Sequence, residues 1–300
     1  MMRRARRKPI FARRRRGGGW LLVAALVVAA VVAGVFAATR VLGDDKPRAA
    51  DPGPVHVHAL GINPADRSLF IATHTGLFRL EGDAQRAERV SDRYQDTMGF
   101  TVVGADHFLG SGHPDVRDDL PPLLGLIESR DAGETWTPTA LLGKVDFHAL
   151  RVRSGGIVGY DATSGRVMIS DDEGRSWRST RPPEPLVDLV VDPTSADRLL
   201  VAGESRLFVS PDSGRTWKQR EQGTGLLAWP RGDRLYLLDA GGRIWLSRDG
   251  GGRWQGRGQI GGRAAALLAV SAERLYAATH QGEIKHSIDG GSSWTTLSKP

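Results

Sequence analysis

An eight-residue block recurs five times along this chain, and it constrains the fold more than any other feature. Each copy reads Ser-x-Asp-x-Gly-x-x-Trp, and the copies occupy residues 129–136, 170–177, 210–217, 247–254 and 287–294. Their first residues lie 41, 40, 37 and 40 positions apart. Repetition at about 40 residues, with short apolar runs and turn residues in between, is typical of the four-stranded blades of a β-propeller. The sequence therefore predicts an all-β propeller.

The apolar segments ahead of each block supply the other strands of a blade. Three short strands precede each block, and the block's Trp opens the fourth. The same three-strand order occurs at 57–60, 69–71 and 76–80, ahead of the first block, and there it has no block of its own. We therefore expect a six-bladed propeller with innermost strands starting near Val57, Met98, Phe147, Val187, Leu226 and Ala265.

The spacing of the blades predicts two local features. The long gap between the first two blades is assigned to an insertion at 113–122, between the second and third strands of the second blade. The chain begins on an innermost strand and ends on an outermost one, so packing between the first and last blades is expected to close the ring. An exchanged strand at 54–58 is the alternative.

The residue types of the block have a structural explanation. An Asp side chain can bond back to nearby backbone amides, Gly permits positive φ, and Trp fills the gap between neighbouring blades. The fourth copy has Arg253 where Ser or Thr stands in the others, so its turn is expected to be the least well tied. We assign this structural role to Asp131, Asp172, Asp212, Asp249, Asp289, Trp136, Trp177, Trp217, Trp254 and Trp294.

The block resembles the Asp-box, or BNR repeat. The chain from 55 to 300 resembles exported bacterial Asp-box propellers that carry a glycosylhydrolase or exo-alpha-sialidase label, notably in the segments HTGLF (74–78), QDTMGF (95–100) and GSGHPD (110–115). It is also similar in form to the photosystem II assembly factor and to sortilin-type receptor propellers. The resemblance to the exported Asp-box propellers implies a glycoside hydrolase. The resemblance to the assembly factor and the sortilin-type propellers implies a module that binds a protein without catalysis.

A sialidase-type enzyme needs a Tyr nucleophile with a carboxylic acid partner and an arginine cluster for the substrate carboxylate. Tyr160 stands beside Asp161, but the early F/Y-R-I-P segment that carries the first sialidase arginine is not present in the sequence. Hydrolysis of a glycan is therefore kept as the alternative to binding, with no catalytic residue assigned.

The first 54 residues read as a membrane anchor and its flanks. Residues 1–19 form a basic tail, 20–39 are apolar and long enough to span a bilayer as a helix, and 40–54 are a polar linker. The positive-inside rule then makes the N-terminus cytoplasmic and the propeller extracytoplasmic. A signal peptide cleaved after 35–37, giving a secreted protein, is the alternative.

The charge distribution argues against nucleic acid as a partner. The net charge of +7 comes from the N-terminal tail, because the residues after position 50 contain 29 Lys or Arg and 32 Asp or Glu. The chain has no Cys, which excludes disulfides and thiolate metal sites. Exposure outside the membrane makes an envelope protein or a glycan the expected partner.

Polar residues gather where the innermost strands start and where the second strands end, and in a propeller both positions lie at the upper mouth of the central channel. Five of the eight histidines fall there. The candidate ligand site comprises His58, His74, Asp96, His113, Asp115, His148, Asp161, Asp188, Asp239 and His280.

Imidazoles beside carboxylates are ligands for transition metals, and a thioether from Met98 would favour copper. We therefore predict a copper or zinc site that includes His58, His113 and His148. The alternative is that these side chains cap strand ends and bond channel water. The insertion, with Asp115, Asp118 and Asp119, is expected to be a solvated acidic loop stiffened by prolines, and cation binding through these carboxylates is the alternative.

Overall fold

The computed structural model describes residues 51–82 and 84–300, and this part of the chain folds into 24 strands in six four-stranded sheets, with no helix among the described residues. None of these residues therefore belongs to a helix long and apolar enough to cross a membrane. The basic tail and the anchor expected at 1–39, and the linker as far as residue 50, lie outside the described residues.

Each of the first three blades is built from four consecutive strands. The first contains β1 (Val57–Ile62), β2 (Leu69–Thr73), β3 (Gly76–Leu80) and β4 (Glu88–Arg89). The second contains β5 (Asp96–Gly104), β6 (His107–His113), β7 (Leu126–Ser129) and β8 (Thr137–Ala140). The third contains β9 (Phe147–Arg153), β10 (Gly156–Asp161), β11 (Arg166–Ser170) and β12 (Arg178–Thr180).

The last three blades repeat this plan. The fourth contains β13 (Leu186–Asp192), β14 (Ser195–Gly203), β15 (Leu207–Ser210) and β16 (Lys218–Gln219). The fifth contains β17 (Leu226–Arg231), β18 (Arg234–Leu238), β19 (Arg243–Ser247) and β20 (Gln255–Gln259). The sixth contains β21 (Ala264–Ala269), β22 (Leu275–Thr279), β23 (Ile284–Ser287) and β24 (Thr295–Ser298). Each innermost strand begins within two residues of its predicted start.

All neighbouring strands within a blade pair antiparallel, in chain order. The second strands are largely buried because other strands cover both of their edges and adjacent blades cover both of their faces; β2 and β10 are buried along their whole length. The innermost strands surround a central cavity of about 540 Å³. Its wall includes His58, His148 and Asp188, so three of the predicted site residues border the channel.

The five repeat blocks form the same turn between third and fourth strands. In every copy the Ser hydroxyl lies 2.8 Å from the first carboxylate oxygen of the Asp. That carboxylate also accepts the amide of the residue before Trp, and in four copies it accepts that residue's hydroxyl as well. Arg253 has no hydroxyl to offer, so Asp249 lacks this last bond.

The blocks also fill the gaps between blades. The Gly of each block has positive φ and lies against a side chain of the preceding blade, as Gly251 does against Leu200 and Gly291 against Ile244. The Trp of each block packs into the apolar cluster shared with that preceding blade. The first blade has no block, so the cluster that joins the sixth blade to the first contains no Trp.

Ring closure is by packing, as expected. β1 pairs with β2 of its own blade, and β24 pairs with β23, so no strand is exchanged between the first and last blades. Ile284 and Ala278 of the sixth blade pack with Leu60, Ile71 and Phe78 of the first. The hydroxyl of Ser298 donates to the carbonyl of Gln85 across this seam at 3.0 Å.

Candidate functional site

Two clusters of His and Asp lie on the upper face, and the first, cluster A, contains His58, His74 and Asp96. His58 is the second residue of β1, His74 directly follows β2, and Asp96 opens β5 of the next blade. His74 Nδ1 lies 2.8 Å from Asp96 Oδ2, and His58 Nε2 lies 3.4 Å from Asp96 Oδ1. One donor atom from each residue lies within 4.8 Å of the others, so the group could hold a metal ion.

Burial in cluster A leaves polar atoms without partners. The Asp96 side chain is 12% exposed and that of His74 is 56% exposed, so the cluster has a buried base and an open top. His58 Nε2 and Asp96 Oδ1 are both buried and make no hydrogen bond. Buried polar atoms are almost always bonded in folded proteins, so two such atoms side by side indicate a place for a ligand.

Cluster B contains Asp146, His113 and His148. Asp146 directly precedes β9, His148 is the second residue of β9, and His113 ends β6. Asp146 Oδ2 lies 2.8 Å from His148 Nε2 and 3.7 Å from His113 Nε2. Asp146 Oδ1 is buried and has no hydrogen-bond partner.

The two clusters are neighbours on the second blade. Asp96 of cluster A and His113 of cluster B are directly paired residues of β5 and β6. Paired residues of antiparallel strands have Cα atoms only about 4.5–5.5 Å apart. The metal trio predicted from the sequence is thus divided, with His58 in cluster A and with His113 and His148 in cluster B.

Sequence reasoning missed Asp146. A signal for it exists, because Asp146 stands two residues before His148 just as Asp96 stands two residues before Met98, at equivalent places in neighbouring blades. An alignment of the innermost strands extended by two residues would have placed both carboxylates in the same ring.

Asp188, another predicted ligand, braces the channel wall. Its carboxylate accepts the amides of Leu189 and Leu227 at 2.7 and 2.8 Å and the guanidinium of Arg151 at 2.7 Å. These contacts join the third, fourth and fifth blades at the channel wall. Burial raises the pKa of Asp188, and the bonds from Arg151 and the two amides oppose that effect.

Asp161 and Asp239, also predicted as ligands, cap the turns that follow the second strands. Asp161 accepts the amides of Asp146 and Thr163, each at 3.1 Å. Asp239 accepts the Arg243 amide and the Trp245 indole N–H, each at 3.0 Å. Their carboxylate oxygens accept hydrogen bonds from groups of their own blade, as expected for residues that cap strand ends.

Asp115 anchors the insertion, which runs from 114 to 125 between β6 and β7. It is buried, and it accepts the Tyr94 amide at 2.8 Å and Arg117 Nε at 2.9 Å. The Arg117 side-chain bond is the main cause that holds the pKa of Asp115 well below its ordinary value. Arg93 also pairs with Asp118. Asp115 and Asp118 are therefore paired with arginines, whereas Asp119 and Leu120 are exposed, so the expectation of a solvated acidic loop holds for only part of the insertion.

Two further predicted residues lie apart from both clusters. His280 is exposed on the sixth blade, where its backbone amide donates to the Arg263 carbonyl at 2.9 Å. Tyr160 is only 6% exposed and belongs to the apolar cluster between the third and fourth blades. The Tyr160–Asp161 pair considered for hydrolysis therefore presents neither a free acid nor an open phenol.

Comparisons with known proteins agree with the fold. No protein-family model matches the chain, and no curated protein sequence matches it. A GH74 xyloglucanase from Xanthomonas campestris superimposes with a TM-score of 0.54 at 21% identity, over 82% of this chain and 46% of that one. This chain therefore spans about half the length of the xyloglucanase.

Two other solved structures are similar over most of their own length. YCF48 from Cyanidioschyzon merolae has a TM-score of 0.50 at 11% identity, covering 82% of this chain and 85% of that chain. A chain of a nidogen/laminin complex has a TM-score of 0.59 at 16% identity, covering 78% and 93%. The expected resemblance to glycoside hydrolase and YCF48-type propellers is confirmed. At such identities it establishes the fold alone.

Proposed function

We propose that this protein is a membrane-anchored, extracytoplasmic Asp-box propeller that binds a divalent transition metal, zinc or copper, at cluster A. The observation that supports this most strongly is the convergence of two imidazoles and a carboxylate within 4.8 Å, with His58 Nε2 and Asp96 Oδ1 buried and unbonded. A bound ion would satisfy both atoms at once.

The chemistry of cluster A fits zinc or copper. Imidazole nitrogen suits both metals, and a carboxylate supplies the charge that a purely neutral site would lack. Three protein ligands leave one position of a tetrahedral ion open. An envelope protein or a glycan that reaches the exposed His74 side of the cluster could supply the fourth ligand, which would make the metal a point of contact with a partner.

The membrane location rests on the sequence. Nine basic residues precede an uncharged stretch at 17–39, and a Pro-containing linker follows it. We expect the protein in the membrane fraction, with its propeller open to protease added outside intact cells. Release of the propeller into the medium would indicate the cleaved form instead.

Glycan hydrolysis gains no comparable support from the described residues. Asp161 accepts bonds from its own turn, Tyr160 is buried, and Arg93 and Arg117 pair with acids of the insertion region. An enzyme of the sialidase type needs these groups to be free and to face a common pocket.

The proposal can be tested by zinc and copper titration of the full chain in detergent, purified without a histidine tag. His74→Asn removes the exposed ligand of cluster A and should lower the bound metal by one ion per chain. His280→Asn is a matched control, because His280 follows β22 just as His74 follows β2 but forms no ion pair with an acid of the described residues. Wild-type metal content in the His74→Asn protein would contradict the proposal.

A further inference from the structure

An apolar ring surrounds the lower part of the central channel, where the innermost strands end. Val103, Val152 and Val270 are 39%, 41% and 44% exposed there, so these large apolar side chains border the open cavity. The ring has one member from each blade, namely Ile62, Val103, Val152, Val191, Pro230 and Val270. Replacing the water against such a wall by an apolar group is favourable.

The channel wall becomes polar toward the upper mouth. Its titratable or charged side chains are those of His58 and His148, each second in its strand, and of the paired Arg151 and Asp188. The channel is about 20 Å long, judged from the six residues of β1. Its volume of about 540 Å³ lies within the range of about 300–1,000 Å³ that is typical of small-molecule sites.

A second cavity of about 400 Å³, the side pocket, lies between the second and third blades. It meets the channel at the apolar ring, because Val103 and Val152 line both cavities. The rest of its wall is rich in charge, and its titratable residues are His107, Glu128, Arg130, Arg153, Glu173 and Arg175. An apolar channel and a charged pocket therefore share one rim.

The acids of the side pocket already have cationic or imidazole partners. Glu128 Oε1 lies 2.6 Å from His107 Nε2 and 2.6 Å from Arg130 Nη2. Glu173 Oε2 lies 3.3 Å from Arg175 Nη2. Arg130 and Arg175 are both well exposed, so either guanidinium has N–H groups to offer to a further anion.

Arg153 adds a buried donor to the same wall. Its side chain is only 5% exposed, and it pairs with Asp171 and donates to the Ala196 carbonyl at 2.7 Å. Its Nε is buried and has no hydrogen-bond partner. Buried donors are almost always bonded in folded proteins, so this N–H indicates a place for an acceptor beside the pocket.

We propose that the side pocket and the channel together bind a fatty acid. The carboxylate lies among Arg130, Arg153 and Arg175, since guanidinium groups bind carboxylates through paired hydrogen bonds. The hydrocarbon chain passes Val103 and Val152 into the channel, and the polar upper end limits its length. This site is separate from the metal at cluster A and does not depend on it.

The first test uses the full chain in a sterol-based detergent, because its rigid rings do not compete for a site that takes one hydrocarbon chain. A fatty acid with a light-activated diazirine in mid-chain is crosslinked to the protein, and unlabelled acids from octanoate to icosanoate compete with it. Each added methylene should tighten competition about fourfold, until the chain fills the channel. Crosslinks should map to the ends of β5, β9 and β21. Crosslinks elsewhere, or a gain that continues through icosanoate, would overturn the proposal.

Charge variants test the side pocket. Arg130→Gln combined with Arg175→Gln should weaken competition by dodecanoate about tenfold or more, and leave competition by uncharged dodecanol unchanged. Arg248→Gln combined with Arg215→Gln is the matched control, because these arginines occupy the same positions in the blocks of the fifth and fourth blades. Equal losses of dodecanoate binding in the two double variants would contradict a carboxylate site in the side pocket.

A charge at the rim tests the path of the chain. Val152→Asp should abolish crosslinking, whereas Ile288→Asp, at an exposed position that lines neither cavity, should not. A thermal unfolding midpoint close to wild type checks the fold, and Val103→Asp repeats the test if Val152→Asp fails to fold. His74→Asn should bind the fatty acid like wild type, so failure of the metal site leaves this inference standing. Undiminished crosslinking in a folded Val152→Asp protein would refute it.

Discussion

The seam between the sixth and first blades is the place where this ring should open most easily. Among residues 51–82 and 84–300, no chain segment runs from the sixth blade to the first and no block Trp packs between them, whereas each of the other five seams has both. Ile284 on β23 and Ile244 on β19 occupy equivalent positions three residues ahead of a block Ser, and both are fully buried. Ile284 packs into the closure seam, and Ile244 packs into the seam between the fifth and sixth blades.

Truncation of either Ile to Ala removes the same three carbons from a dense core. The expected cost is about 2–5 kcal/mol, which for a domain of this size corresponds to a fall in Tm of about 4–20 °C. The two variants should differ in which strands of the ring lose stability. Ile284→Ala weakens a seam that is closed by packing and the Ser298–Gln85 hydrogen bond, so β1 and β24 should separate locally before the whole ring unfolds.

Hydrogen–deuterium exchange read by mass spectrometry measures this difference. At a temperature well below either Tm, Ile284→Ala should speed amide exchange in β1, β4 and β24, while Ile244→Ala should leave those strands protected. Equal exchange patterns in the two variants would refute the idea that the closure seam is the weak point of the ring.

The repeat blocks and the insertion give further predictions. Hydrogen bonds from the hydroxyl and amide of the residue before the block Trp lower the pKa of Asp172, Asp212 and Asp289 from 3.8 to about 2. The stability that these carboxylates supply is therefore complete above about pH 4 and is lost as the pH falls toward 2. Urea unfolding at pH 5 and at pH 2.5 should show this loss of stability, and the Asp212→Asn variant should lose less between the two pH values. Asp212→Ala should lower Tm and leave zinc stoichiometry unchanged, whereas lost binding in the folded variant would contradict a purely structural role. Asp115→Asn should speed amide exchange across 114–125 with little change in Tm, and unchanged exchange there would show that Arg117 does not hold the insertion.

The fold could be predicted from the sequence because its signal is repeated. Five copies of one turn set the period, and the apolar strands around each copy follow in the same order. An uncertain strand boundary in one blade can therefore be assigned by comparison with the other blades. The extra blade without a block could be found for the same reason. Strand order favoured closure by packing but left an exchanged strand at 54–58 open, and the observed strand pairing decides between the two.

The candidate site could be predicted only in outline. The ring of polar residues at the channel mouth was evident, but sequence cannot tell a carboxylate that caps its own turn from one that faces a histidine. Asp161 and Asp188 are taken up by backbone amides and Arg151, while Asp96 and Asp146 keep an unbonded oxygen. That distinction depends on backbone direction at the end of each strand, which is set by three-dimensional packing.

The measurement that tests the central claim most directly is anomalous diffraction at the zinc edge from a crystal of the protein grown with zinc. We expect an anomalous peak within about 2.0–2.2 Å of His58 Nε2, His74 Nδ1 and an Asp96 carboxylate oxygen. A structure with zinc at full occupancy elsewhere, or with His58 and Asp96 bridged by water alone, would contradict the metal-binding function.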